Sequence, residues 1–226
     1  MIAVIRTLPG PVEELNAEKQ KPNGTYRLQS VINQLKADFF NKCYLCELRA
    51  PTSINVEHRI PHCGNDADLK FSWVNLLWAC GHCNGTKGDR YHPILDCTDE
   101  NMRVLNRLDF SFEAFPLPRV MVRELDNNED TINTANLLNA IHSGSETARI
   151  RQVEAANLCS AILEEFDKFL RLIENYKDAQ SEQRESLSRR IRRALSKEAA
   201  FTAIKACYIK RHQYLREEFG DAIQEF

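Results

Sequence analysis

The 226-residue sequence contains no apolar run near the roughly 18 residues that a membrane-spanning helix requires. Its opening, MIAVIRTLPGPVEEL, has only a short apolar stretch before Pro9, too brief for a secretory signal, so a cytoplasmic protein is expected. Neither sign of charge dominates. A formal net charge of −2 gives no global attraction to nucleic acid, so any such binding must come from a local patch or a bound metal. Internal repeats and low-complexity tracts are also lacking. After HSGSE (142–146) the chain has no proline and one glycine, which favours long helices. What remains, 43% hydrophobic and 27% charged residues, is the composition of an ordinary globular protein large enough for one large domain or two small ones.

Cysteine is plentiful. Of the 8 cysteines, four form two Cys-x-x-Cys units, Cys43 with Cys46 and Cys80 with Cys83. In a cytosolic chain such units point to metal rather than to disulfides. Residues 47 to 79 separate them, a longer gap than the ~15–20 residues of a compact zinc ribbon. Four thiolates close a tetrahedral zinc site with no open position, so the expected zinc is structural. His62 and His82 could each replace a cysteine, but a complete set makes that unnecessary, and His62 is expected at the surface. Cys63, Cys97, Cys159 and Cys207 are expected as buried apolar thiols.

The pattern divides the chain into three. Residues 1–27, with Pro9, Pro11 and Pro22, are expected to form an irregular arm. In residues 28–97, Leu28, Val31, Ile32, Leu35 and Phe39 have helical spacing, TSINVEHRIP alternates as a strand ending at Pro61, and FSWVNLLWAC reads as an extended segment with a turn. A short helix is predicted from about Cys83 to Gly88. In residues 98–226, RVMVREL reads as a strand and DNNEDTINTANLLNAI as a capped helix. Two further apolar stripes follow, one through Ile150, Val153, Leu163, Phe166, Leu170, Ile173 and Tyr176, the other through Leu187, Ile191, Leu195, Phe201, Ile204 and Tyr208. The expected fold class is α+β with a mainly α-helical C-terminal region.

Between the cysteine pairs lie VEHRIP, WVNLL and CNGTK. An acidic–His pair, an Asn and a further Asn at a helix start, in this order, resemble an HNH nuclease. The likeness runs from Lys42 to about Asp96, and Asn84 stands where the second histidine of the name would be. The resemblance implies a ββα-metal HNH finger stapled by the four-cysteine zinc site. It implies a phosphodiester hydrolase in which His58 is the general base, Glu57 and Asn84 hold one Mg²⁺ or Mn²⁺, and Asn75 braces the loop that orients His58. These residue types suit that chemistry. Histidine titrates near neutral pH and can take a proton from water, while carboxylate and amide oxygens are hard ligands for a hard cation. Lys87 and Arg90 could contact substrate phosphates, and Lys87 could equally be a solvated helix residue.

Downstream, HPILDCTDEN and TINTANLLNA…ARIRQVEAANL resemble the HNH nuclease subunits of Septu-type and retron-associated antiphage systems. That likeness implies a DNA-cutting effector acting with an ABC- or SMC-like ATPase partner, the helical half serving as docking surface. RNA would serve equally as substrate on chemistry alone, because the mechanism needs no 2′-hydroxyl. The basic run RESLSRRIRRALSK could contact nucleic acid or an acidic partner, or be a solvated helix face. The contrasting expectation is a zinc-stapled nucleic-acid- or protein-binding module without catalysis.

Overall fold

A computed structural model describes residues 1–144 and 149–226. Ser145 and Glu146 of the expected break at HSGSE lie outside the described residues. Among the described residues, two antiparallel two-stranded sheets are set among ten α-helices in a mixed α/β arrangement. None of these helices is long and apolar enough to cross a membrane.

Residues 1–27 are more ordered than an irregular arm. Met1, Ile2 and Val4 are buried, and the Val4 amide donates to the Cys97 carbonyl at 2.8 Å. VEELNAEK forms α1 (Val12–Lys19), with Glu13 and Glu14 at its positive end and Lys19 at its negative end. Only Leu15 of α1 is buried, which is why no apolar stripe announces this helix. The expected second helix is α2 (Gln29–Asp38), which buries Val31 and Leu35.

Strand β1 (Ile54–His58) pairs with β2 (Leu76–Cys80), Ile54 opposite Cys80 and His58 opposite Leu76. The link between them holds a short helix, α3 (Ala67–Phe71), and a 3₁₀ turn over Trp73–Asn75. Asp66 caps α3 by accepting from the Leu69 amide at 2.9 Å. Helix α4 (Gly81–Lys87) follows β2 without a loop, two residues earlier than expected, because the Cys80 sulfur serves as its N-cap. It stops at Gly88, whose φ of +49° and ψ of −142° suit a residue without a Cβ.

The C-terminal part is not purely helical. After α5 (Val104–Arg107), LDFSFE forms β3 (Leu108–Glu113), unforeseen, and pairs with the expected strand β4 (Arg119–Glu124). Then come α6 (Glu129–Ser143), α7 (Arg149–Asp178), α8 (Ser181–Ala194), α9 (Thr202–Arg211) and α10 (Gln213–Phe219). Helix α7 buries Leu158, Ile162, Phe169, Ile173 and Tyr176. Ile150 and Val153, the expected start of its buried stripe, are exposed. In the basic run, Arg184, Arg189 and Arg192 are already paired, with Glu218, Glu185 and Asp221. Arg190 and Arg193 face solvent.

One hydrophobic cluster runs from Met1 to Phe226, so segments 28–97 and 98–226 share a core. Helix α4 packs on β1 and β2 and also against α6 and α7. The approach is close at Gly85, where a Cβ would fall 2.3 Å from the Arg151 guanidinium of α7.

Candidate metal centre and adjoining cavity

The two Cys-x-x-Cys units converge. Cys43, Cys46, Cys80 and Cys83 are buried, and their sulfurs all lie within 4.8 Å of one another. Local backbone explains the approach. Residues 41–50 fold back in a tight knuckle: Cys43 N–H donates to Leu48 O, Glu47 N–H to Cys43 O, and Glu47 and Ala50 take positive φ. The Tyr44 amide then donates to Trp78 O at 2.9 Å, fastening the knuckle to β2. A tetrahedral zinc with ~2.3 Å bonds needs sulfurs ~3.8 Å apart, and Cys46 and Cys80 stand at 3.9 Å. Burial and the neighbouring thiols push the Cys83 thiol well up. A cation that displaces thiol protons answers that cost, so the donor set fits a metal such as zinc.

Glu47 ties this knuckle to the C-terminal helices. Its carboxylate accepts from the Met1 ammonium at 2.7 Å and from the Thr202 and Ala203 amides at the start of α9, at 2.8 and 3.2 Å. His82, weighed above as a spare ligand, is not part of the cluster and has both ring nitrogens engaged elsewhere. Its ring nitrogens meet Ile141 O at 2.8 Å and the Glu154 carboxylate at 3.1 Å.

Beside the cluster is a cavity of about 350 Å³ lined by Glu57, His58, His62, Cys63, Asn84 and Asp89, among others. Three of the predicted site residues, Glu57, His58 and Asn84, thus meet at one cavity, brought together by the end of β1 and by α4. His58 Nε2 lies 3.0 Å from Lys70 O. A carbonyl only accepts, so Nε2 carries the hydrogen and Nδ1 of the neutral ring is the free acceptor. Burial is the main cause that lowers the His58 pKa to about 4, with His62, Lys87 and Arg27 adding to it. The ring is therefore neutral at physiological pH. Tyr26 and His62 flank it edge-on, at centroid distances of 4.6 and 4.5 Å.

Asn75 sits at the base of the loop, 3% exposed. Its Oδ1 accepts from Ile60 N–H at 2.8 Å, and its Nδ2 donates to Ile60 O at 3.0 Å and Leu69 O at 3.1 Å. The last contact fixes the carbonyl next to the one that orients His58.

Glu57 is 4% exposed and its oxygens are engaged. Oε1 lies 2.7 Å from Lys87 Nζ, and Oε2 accepts from the Tyr44 hydroxyl at 2.7 Å. Burial raises the Glu57 pKa, and Lys87 and Tyr44 offset this only in part. Lys87, 1% exposed, also donates to His58 O at 2.9 Å. It is therefore neither a surface phosphate contact nor a solvated helix residue: the α4 spacing turns it inward, onto a buried carboxylate that needs a charge partner. Arg90 is exposed, donating to Thr86 O at 3.1 Å and lying over the Tyr91 ring, and it remains free to meet a phosphate.

The fit to a hard divalent ion is sparse. Among the described residues, the four cysteines form the one cluster of three or more Cys, His, Asp or Glu ligands. Glu57 keeps a second lone pair on each oxygen, and Asn84 offers an amide oxygen at the same cavity. Magnesium commonly binds through one or two protein oxygens and otherwise water and phosphate, so the set suits a mainly hydrated ion.

Sequence patterns miss four contributors. Tyr44 is hidden inside the first cysteine unit, Lys87 reads as a surface cation, and His62, expected at the surface, lines the cavity. Cys63, expected to be buried, is exposed at the cavity rim with a φ of +50°. Only the four-residue spacing of His58 and His62 hints at their pairing. No family model matches the chain, and no curated protein or solved structure matches it.

Proposed function

We propose that the chain is a metal-dependent endonuclease of the HNH kind that hydrolyses phosphodiester bonds of DNA. The observation that carries this reading is His58. Its Nε2–H is committed to Lys70 O, which leaves an unprotonated Nδ1 on a ring that shares a cavity with Glu57 and Asn84. The β1–β2–α4 succession beside a four-cysteine cluster supports the ββα-metal form of that fold.

In this reading His58 takes the proton of the attacking water, and its low proton affinity keeps it in the base form across the physiological range. Asn75 holds the Leu69 carbonyl, next to the Lys70 carbonyl that sets the ring, and Lys87 holds Glu57 and the His58 main chain in register. A hydrated Mg²⁺ or Mn²⁺ held by Glu57 and Asn84 would supply Lewis-acid stabilisation of charge on the phosphate. Arg90 would grip the backbone of the nucleic acid at the rim.

Plasmid nicking in Mg²⁺ or Mn²⁺ tests the reading, comparing the wild type with His58→Ala and Asn84→Ala. Both variants should keep their zinc content and helical circular dichroism and lose cleavage. Cleavage undiminished in His58→Ala would sink the assignment. The likeness to antiphage effectors extends the proposal to a complex with an ATPase, tested by co-purification and by nicking with and without that partner. A second reading, a zinc-stapled binding module without catalysis, is favoured by one observation: both Glu57 oxygens already have protein partners. It predicts nucleic-acid or protein binding with no nicking in any divalent ion.

A further inference from the structure

Resting on the nuclease reading, we propose that His62 is a second catalytic histidine, a neutral hydrogen-bond donor to a non-bridging oxygen of the scissile phosphate. His62 lines the same cavity as His58, and the two rings meet edge to face at 4.5 Å with an interplanar angle of 73°. Their hydrogen bonds assign them opposite roles. His58 gives its Nε2–H to Lys70 O and keeps Nδ1 as acceptor. His62 does the reverse: its Nδ1 accepts from the Gly64 amide at 3.1 Å. A backbone amide only donates, so Nδ1 of His62 carries no hydrogen, and Nε2–H is the ring's one donor. No acceptor for that Nε2–H occurs among the described residues.

The turn around His62 holds the ring in place. The His62 carbonyl accepts from the Asn65 and Asp66 amides at 3.1 and 3.2 Å, while its ring accepts from the Gly64 amide just before them. Cys63, between His62 and Gly64, takes a φ of +50°, and this turn brings the Gly64 amide to the ring. The donor is thus fixed before substrate arrives, which is the property that makes a hydrogen bond to developing charge effective.

In the step, the water oxygen forms a bond to phosphorus while His58 Nδ1 takes the water proton. The phosphorus–leaving-oxygen bond breaks with its electron pair on the leaving oxygen, which takes a proton from solvent water, and His58 then returns its proton to solvent. His62 transfers no proton. It donates its Nε2–H to the non-bridging oxygen as negative charge accumulates there. A neutral ring suits this task, because nothing must be reprotonated on His62 between turnovers.

The test pairs His62→Ala and His62→Gln with oligonucleotides carrying the two diastereomeric non-bridging phosphorothioates at the cleaved position, assayed in Mg²⁺ and in Mn²⁺. Sulfur accepts hydrogen bonds poorly. Wild type should cut one diastereomer slowly, in a way Mn²⁺ does not rescue. His62→Ala should lose about 10²–10³-fold in kcat on the oxygen substrate, the range for removing one such donor, with KM little changed. The same variant should no longer discriminate against that diastereomer. His62→Gln, which places an amide N–H on a similar reach, should recover part of the rate. A His62→Ala enzyme of undiminished kcat, or one slowed equally on all substrates with the thio effect intact, overturns the assignment while the nuclease reading stands. A wild type inert toward every substrate in both ions overturns both.

Discussion

The pairing of Lys87 with Glu57 makes the most exposed prediction about how the site is held. Both side chains are almost fully buried, their charged atoms are 2.7 Å apart, and Tyr44 and the His58 carbonyl satisfy further directions. Removing one partner of such a pair strands a charge in the interior and typically costs ~3–5 kcal/mol, whereas replacing both with neutral groups is often close to neutral. Lys87→Met should therefore destabilise the fold by about 3–5 kcal/mol, with Glu57→Gln costing somewhat less because the amide can still meet Tyr44 and Lys87. The double variant should be more stable than Lys87→Met alone. Urea unfolding followed by the fluorescence of Trp73 and Trp78, at fixed zinc, measures this. For a slope of ~2–3 kcal/mol/M the Lys87→Met midpoint should fall by about 1–2.5 M. Losses that simply add in the double variant, or a single-variant loss under ~1 kcal/mol, would refute the argument that the pair is buried and coupled.

Three further outcomes follow from the geometry. The purified protein should carry one zinc per chain, and Cys80→Ser should lose it, together with hydrogen-exchange protection in α4, because Cys80 both belongs to the cluster and caps that helix; unchanged protection would count against this. Asn75→Ala should cost ~2–4 kcal/mol by orphaning Ile60 N–H, Ile60 O and Leu69 O, and should speed exchange at residues 59–71; a thermal shift of zero would contradict it. His142, 7% exposed, has its pKa pushed down to about 4, mainly by burial. Its folded form binds the proton less readily than the unfolded chain, so its contribution to stability is complete above pH ~6.5 and is lost as pH falls toward 4. Its loss should amount to about 3 kcal/mol across that window. His142→Gln should flatten that part of the stability curve, and a curve identical to wild type would exclude His142 as a cause.

The sequence is most legible where chemistry depends on spacing. Two Cys-x-x-Cys units locate the four-cysteine cluster, and the alternation of Ile54, Val56 and His58 locates β1. Longer-range pairings are harder to read. LDFSFE does alternate, Leu108, Phe110 and Phe112 against Asp109, Ser111 and Glu113, but it is one short run whose pairing forms only across the hairpin to β4, while α1 buries a single leucine and carries no apolar stripe. Lys87 is misleading because a charged residue near a helix end ordinarily faces water, and only the three-dimensional position of Glu57 turns it inward. His58 and Asn84 can be picked out by residue type and order. That His62 meets His58 depends on the turn through Cys63 and Gly64, at which only their four-residue spacing hints.

The double-sided packing of α4 bears on how portable this site is. One side of the helix presents Asn84 to the cavity, while His82 anchors the other to Ile141 O and Glu154, and Arg151 lies across Gly85. Glu47 adds a further tie, from the cysteine knuckle to the start of α9. Residues 28–97 are consequently not a cassette that could be lifted into another scaffold. Whatever docks on, bends or shifts the C-terminal helices also bears on the helix that carries Asn84, so the rear of the molecule has mechanical access to the face that holds the cavity.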